Sequence, residues 1–260
     1  MKIYSTEHIL YLKKLKKDKT KVYLTQIFII ISLLFTWELL SSLGIINTFL
    51  FSSPKNILKT IFSLVTTNNF FHHVLTTIYE IIISTLISFG LGFLISTILF
   101  QNEFLRKVFD PYLTILNSLP KVALGPLIII WIGASINSII FMSLMISLFI
   151  TIINLYTFFI NTNPNYITLL LSMKATKFDI YKKVIIPSNI KNIISTLKIN
   201  VSMNLIGVIM GELLVSKQGL GYLIMYGSEV FNINLVITSV FILGIISTIL
   251  YYLIDYLEKK

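Results

Sequence analysis

The chain has 260 residues, of which 55% are hydrophobic and 12% charged, with mean hydropathy +0.86 and formal net charge +10. A soluble domain carries about twice that share of charge, and the absence of cysteine excludes disulfides and thiolate metal sites. The lysines gather at the ends of apolar runs rather than on a basic domain long enough to groove a nucleic acid, so nucleic acid is excluded as a partner.

Several apolar runs of roughly 18 or more residues, without strand-like alternation, predict an all-α polytopic membrane protein with six transmembrane helices. Residues 1–21 form a basic lead containing Lys13, Lys14, Lys16, Lys17, Lys19 and Lys21. The run 22–44 is too long for a signal-peptide core and shows no small-residue cleavage site, so it reads as a retained first span with its amino end cytoplasmic. Residues 45–73 are mixed and external, and Pro54 stands where a short helix begins at Lys55. The second span, 74–100, repeats small residues every four positions at Ser84, Ser88, Gly92 and Ser96, a stripe that lets helix backbones approach. An inner turn, 101–110, carries Arg106 and Lys107.

The third span, 111–133, is irregular, since Pro111, Pro120 and Pro126 each remove a backbone donor, and it holds Lys121. A tight outer turn, 133–137, leads to the fourth span, 138–160, with Ser143, Ser147, Thr151 and Asn154 on one face. A basic loop, 161–190, precedes the fifth span, 193–215. An outer loop, 216–234, precedes the sixth, 235–257, and the tail is 258–260. Residues 22–257 are thus one transmembrane domain with both termini inside, a multi-pass protein of the cell membrane. Lys174, Lys177, Lys182, Lys183 and Lys191 then fall inside, and outside remain Lys55, Lys59 and Lys217, as the positive-inside rule requires.

The loop 161–190 is the longest polar interruption. Asn163-Pro164 reads as a cap followed by proline at the first helical position, opening a helix over 164–174. Thr176 and Asp179 form a capping box opening a second helix over 177–184, which Pro187 ends. Phe178, Tyr181 and Ile185 line up on it as an exposed stripe edged by Lys182 and Lys183. Such a stripe suits a partner's groove, or it lies on the membrane with its lysines on anionic lipid.

Within the fifth span Thr196, Asn200, Asn204, Gly207 and Gly211 share one face. A stripe of this kind packs on another helix or lines a water-filled translocation pathway. The two amides need partners that water supplies, which favours the pathway for Asn200 and Asn204, whereas the glycines suit packing. Glu212 either hydrogen-bonds the Gly219–Gly221 loop or meets a ligand, and Lys121 either faces the pathway and attracts an anion or snorkels. Glu38, Glu80 and Asp255 follow no stripe and receive no role. Adjacent His72 and His73 cannot both face one metal, so no metal site is expected and they read as solvated interface histidines.

Several of these segments resemble the permease subunits of ATP-binding-cassette importers of the nitrate/sulfonate/taurine branch. In the loop the resemblance rests on Ala175, Thr176, Phe178, Tyr181, Lys182, Lys183 and Pro187, but Lys174 and Thr168 stand where that family has glycine and glutamate. Elsewhere it rests on FLFSSPKNILKTI after the first span, on Asp110, Pro111, Pro120, Ala123, Pro126, Leu127, Trp131 and Gly133, and on Glu212, Gly219, Gly221 and Tyr222.

The resemblance implies the type I importer (MetI-like) permease fold and a passive, non-enzymatic subunit. Its partners would be a second permease copy, a dimer of cytoplasmic ATPases and an external substrate-binding protein. The helix bearing Phe178, Asp179, Tyr181, Lys182 and Lys183 would couple to the ATPase, whose ATP-driven closure rocks the permeases. This chain has no Walker loop, so it binds no cofactor, and ATP and magnesium belong to the ATPase. The branch handles sulfonates, nitrate, bicarbonate and thiamin pyrimidines, and Lys121 tilts the expectation toward an anion. If the family glycine holds a positive φ, Lys174 either strains the turn or changes it. Two alternatives are an ion-coupled secondary transporter and a polytopic membrane enzyme. The three prolines have no counterpart in a second half, and no protease or hydrolase motif occurs.

Overall fold

The computed structural model describes residues 6–66 and 70–258, so the first five residues of the basic lead and Lys259-Lys260 of the tail lie outside the described residues. The described residues are helical and connecting segments, without strands. They divide into two compact units, residues 1–63 and 64–260.

In the first unit α1 (Thr6–Ser42) runs unbroken, so the basic lead from Thr6 continues directly into the first span as one helix. From Tyr23 onward it is predominantly apolar with little one-sided bias, as a helix immersed in lipid is. A single turn, α2 (Thr48–Phe51), is capped by Asn47, and α3 (Pro54–Thr66) starts on Pro54 itself, one residue before the expected position. The Glu38 carboxylate accepts the Lys55 N–H at 2.9 Å, tying the end of α1 to the start of α3. Glu38, which followed no stripe, thus caps a helix N-terminus, where a negative charge is favoured.

The second unit is built on α4 (Phe70–Gln101), α7 (Ile136–Ile160), α11 (Ile190–Val215) and α13 (Ile233–Glu258). Helix α7 is central, packed along α4 and along α11, and α13 packs against α11. Among the described residues five helices, counting α1, are long and apolar enough to cross a bilayer. The expected third span is not one helix: α5 (Glu103–Ser118) and the segment Lys121–Ile132, which ends in α6 (Gly125–Ile132), meet at a bend of 81°, and they make a sixth crossing when counted together. The inner turn expected over 101–110 is a single residue, Asn102, whose side chain caps α5 through the Leu105 N–H. Pro111 is accommodated inside α5. The break falls at Pro120, before a 3-10 turn over Lys121–Leu124, and Pro126 sits in the first turn of α6, where a missing N–H costs nothing. The segment 216–234, expected as a loop, contains a ten-residue helix, α12 (Leu220–Glu229).

Small residues set the spacing between the central helices. Ser84, Ser88, Gly92 and Ser96 are all buried, as are Ser143, Ser147 and Thr151. At Gly207 a Cβ would run into the Ser143 backbone, so only glycine permits this approach of α11 to α7. The second unit has two ends of different character: one carries the basic loop between α7 and α11, the other carries α12.

Candidate functional site

The basic loop folds as α8 (Pro164–Ser172), α9 (Lys177–Ile180), a π turn over Tyr181–Ile185 and α10 (Ile186–Ser188). Asn163 caps α8, accepting from the Asn165 N–H at 3.0 Å. The helix ends as a Schellman motif: the Ala175 N–H reaches the Leu170 carbonyl (3.0 Å) and the Lys174 N–H reaches that of Leu171 (2.9 Å). Lys174 occupies the left-handed position of this motif, φ +57°. Lysine is therefore held in a glycine's conformation, and the turn is strained rather than altered, at a cost of about 1 kcal/mol.

The capping box that opens α9 is formed as expected. Thr176 Oγ1 accepts the Asp179 N–H (3.2 Å), and Asp179 Oδ2 accepts from the Thr176 N–H (3.3 Å) and hydroxyl (2.5 Å). Lys183 pairs with the other carboxylate oxygen at 2.8 Å. Lys183 first, then Thr176, pulls the Asp179 carboxyl down to about 2.

The stripe Phe178, Tyr181 and Ile185 is not one exposed surface. Phe178 is 64% exposed, and Lys182 and Lys183 stand beside it in solvent, but Tyr181 and Ile185 are buried against Leu155 and Phe159 of α7. The Tyr181 ring meets Phe100 and Phe159 at 5.9 Å, and its hydroxyl lies 2.6 Å from that of Thr97. Burial raises the Tyr181 phenol above its usual range, so the ring stays neutral as an internal anchor. Nor does Pro187 stop the helix. The π turn pairs the Ile186 N–H with Tyr181 O, the chain stays helical through Pro187 to Ser188, and it breaks at Asn189. Asn189 Nδ2 donates to Thr162 Oγ1 (2.7 Å) and to Ile185 O (2.9 Å), so one buried amide closes the neck of the loop. Neither Asn189 nor Thr162 announces this role in the sequence, because each is an isolated polar residue whose partner lies 27 positions away.

Asn200 and Asn204 are fully buried, and side chains of α4 and α7 supply the partners that water was expected to supply. Asn204 Oδ1 accepts from Ser143 (2.7 Å) and Ser147 (2.9 Å), while its Nδ2 donates to Asn200 Oδ1 (2.8 Å), Ser88 (3.0 Å) and Thr85 (3.3 Å). Asn200 Nδ2 donates to Thr151 at 2.7 Å. With Gly207 beside it, this is a knot in which three helices pack together. Lys121 is half-buried, its ammonium donating to Asn117 Oδ1 (3.0 Å) and Ile146 O (3.3 Å) and lying 5.5 Å from the Phe149 ring, so its charge is engaged within the protein.

At the α12 end, Glu212 is 1% exposed and takes the structural alternative. Its Oε2 accepts the Gly221 N–H (2.6 Å) and its Oε1 the Thr77 hydroxyl (2.7 Å). The Leu220 N–H donates to Thr77 Oγ1 at 2.9 Å, and the Gly219 N–H to His73 Nδ1 at 3.1 Å. Gly219 has φ +102°, and a Cβ there would strike the Glu212 carboxylate. His73 is therefore no solvated histidine: it is buried, stacks on Tyr222 at 5.8 Å, and helps clasp α12 to α4. Asp255 also acquires partners, since Lys198 of α11 bridges Asp255 (2.7 Å) and Glu258 (2.5 Å) of α13.

The long apolar helices, the bent pair between them and the basic loop seated on the central helices define a helical membrane protein. Residues 88–260 match the family described as binding-protein-dependent transport system inner membrane component, and the chain belongs to that family. It is 29% identical over 228 residues to a probable ABC transporter permease protein of Haemophilus influenzae, covering 88% of this chain and 92% of that one. It is 30% identical over 227 residues to the formylaminopyrimidine transport permease of Halalkalibacterium halodurans (87% and 90%), and 24% identical over 224 residues to a putative aliphatic sulfonates transport permease of Bacillus subtilis (86% and 81%). An inward-facing structure of the MetNI methionine ABC transporter shares the fold, with TM-score 0.62 and 16% identity over 72% of this chain and 95% of that one. The chain is thus a multi-pass permease subunit of an ATP-binding-cassette importer, of the type I fold, and a transport protein rather than an enzyme.

Proposed function

We propose that two copies of this chain form the translocation unit for a small solute handed over by an external binding protein, with a dimer of ATPases docked on the basic loops. In this reading the basic-loop end and both termini are cytoplasmic, and the clasp of α12 faces the binding protein. ATP and magnesium are handled by the ATPase alone. The observation that carries the reading is the construction of the loop. Its inner side is locked by Tyr181, Ile185 and Asn189, while Phe178, Lys182 and Lys183 remain outside and unburied. A rigid base with an exposed aromatic and lysines suits transmission of a partner's motion, with the aromatic filling a groove and the lysines meeting acidic groups at its rim. Ala175, Thr176, Asp179 and Pro187 shape the element rather than touch the partner. Lipid contacts fall to the exposed apolar faces.

The relatives' names offer two solute chemistries, an aminopyrimidine and aliphatic sulfonates. Uptake by proteoliposomes containing this chain, its ATPase and its binding protein tests the function. Accumulation is expected only with all three and ATP, and accumulation without the ATPase would contradict it.

A further inference from the structure

At the basic-loop end of the second unit, α5 and the end of α7 enclose a cavity of about 300 Å³ that the transport reading does not use. Arg106, Lys107 and Asp110 line its α5 side. Tyr156, Thr157 and Ile160 from the last turn of α7, with the cap residue Asn161, line the other. The volume lies at the lower end of the roughly 300–1,000 Å³ seen for small-molecule sites.

The charges on the α5 side are left open. Arg106 and Asp110 stand one helical turn apart, where opposite charges commonly pair, but no ion pair joins them. The Arg106 guanidinium, 27% exposed, has Glu103 at 3.8 Å, beyond hydrogen-bond length, and makes no hydrogen bond among the described residues. One oxygen of Asp110 accepts the Tyr156 hydroxyl, and the other makes no hydrogen bond among the described residues. Lys107 pairs with Glu103 at 2.9 Å, but both side chains are well exposed, so the pair is weak and exchangeable. The cavity thus offers a guanidinium to an anion and, one turn away, a carboxylate oxygen to a cation. The α7 side strengthens the second preference, because a helix C-terminus carries partial negative charge. A lone phosphate suits only half of this arrangement. A zwitterion whose charges stand roughly 5 Å apart, the length of one helical turn, and whose cation bears N–H donors suits both halves.

Helix α5 also supplies the surface that an amphiphile needs. Phe104, Val108, Tyr112 and Ile115 follow one another at steps of four, four and three along one face, and all are exposed. Arg106 and Lys107 lie near the amino end of the same helix, just beyond the second span, at the level where basic residues bound apolar runs. We infer that this cavity seats the headgroup of a phosphatidylethanolamine, with the phosphate on Arg106 and Lys107, the ammonium on Asp110 and the acyl chains along the exposed face of α5. The headgroup chemistry is the same whichever leaflet meets the basic-loop end.

The test uses the full chain with its ATPase, purified in detergent and stripped of lipid, and measures lipid affinity by native mass spectrometry. Three lipids with identical chains serve as probes: phosphatidylethanolamine, phosphatidylcholine, which has the same charges but no N–H, and phosphatidylglycerol, which has no cation. Phosphatidylethanolamine is expected to bind about fivefold more tightly than either of the others. Arg106→Gln should weaken phosphatidylethanolamine and phosphatidylglycerol alike. Asp110→Asn, which can still accept from Tyr156, should weaken phosphatidylethanolamine alone. Lys217→Gln, which removes an exposed cation at the opposite end, should change nothing. Equal affinity for phosphatidylethanolamine and phosphatidylcholine, a preference that survives both cavity variants, or the same loss in Lys217→Gln overturns the proposal. So does soluble phosphoethanolamine binding as tightly as the lipid, which would make the site one for a free zwitterion. If the cavity variants fail to fold, the ranking of the three lipids by the wild-type complex decides alone.

Discussion

The interior knot around Asn204 and the basic loop around Phe178 treat exposed chemistry in opposite ways. In the knot, three helices bring hydroxyls and amides together until every group on Asn204 is used, and nothing remains for a solute. In the loop, polar and aromatic groups are divided: one side is sealed into the core, the other left free. The contrast teaches that a polar stripe in a membrane helix is evidence of function only where its groups stay unsatisfied. By that measure Asn200 and Asn204 read as structural, whereas the rim of the loop, with Phe178, Lys182 and Lys183 exposed, stays free.

The largest effect should come from breaking the knot. Asn204→Leu removes a side chain that bonds α4 and α7 at once and takes one partner from each of Ser143, Ser147 and Asn200, which keep their remaining bonds. It is expected to cost about 2 kcal/mol, read as a lower unfolding midpoint in detergent or nanodiscs. If the midpoint is unchanged, the knot is not what holds these helices. A smaller effect of opposite sign is expected at the loop. Lys174→Gly relieves the left-handed strain at the end of α8 and should raise the stability of that segment by about 1 kcal/mol. Slower amide exchange at Ala175 and Lys177 would report it, and unchanged exchange would show that the lysine is accommodated without strain.

The smallest effect is the pH response of the capping box. The folded Asp179 carboxyl lies below its ordinary value, so its contribution is present above the usual aspartate range and is lost as pH falls from about 4 toward about 2. The α9 amides should lose protection in that window, relative to intrinsic rates, while those of α8, capped by the uncharged Asn163, should not. Equal loss in both helices would mean that the loop melts as a whole.

Much of the architecture was legible because it is written in local patterns. The lengths of the second, fourth, fifth and sixth spans, Asn163-Pro164 and Thr176-Asp179 are local signals, and the structure keeps those spans and caps to within a few positions. The family, too, was legible, from short motifs spread over the chain. Illegible were the pairings between helices distant in sequence. No periodicity states that Asn200 meets Thr151, that Tyr181 turns inward to Thr97, or that Asn189 closes on Thr162. Glu80 escaped notice for the same reason, since the carboxyl it faces, Glu212, lies far along the chain.

The central claim is that the loop transmits motion through its exposed rim while its inner side only anchors it. The direct measurement is the affinity of the ATPase for the permease in nanodiscs, taken with the unfolding midpoint of the permease alone, for Phe178→Ala and for Tyr181→Phe. Phe178→Ala should weaken ATPase binding about tenfold with an unchanged midpoint. Tyr181→Phe, which removes the hydrogen bond to Thr97, should lower the midpoint and leave the affinity largely intact. Full ATPase affinity in Phe178→Ala, or its loss in a stably folded Tyr181→Phe, would contradict the account.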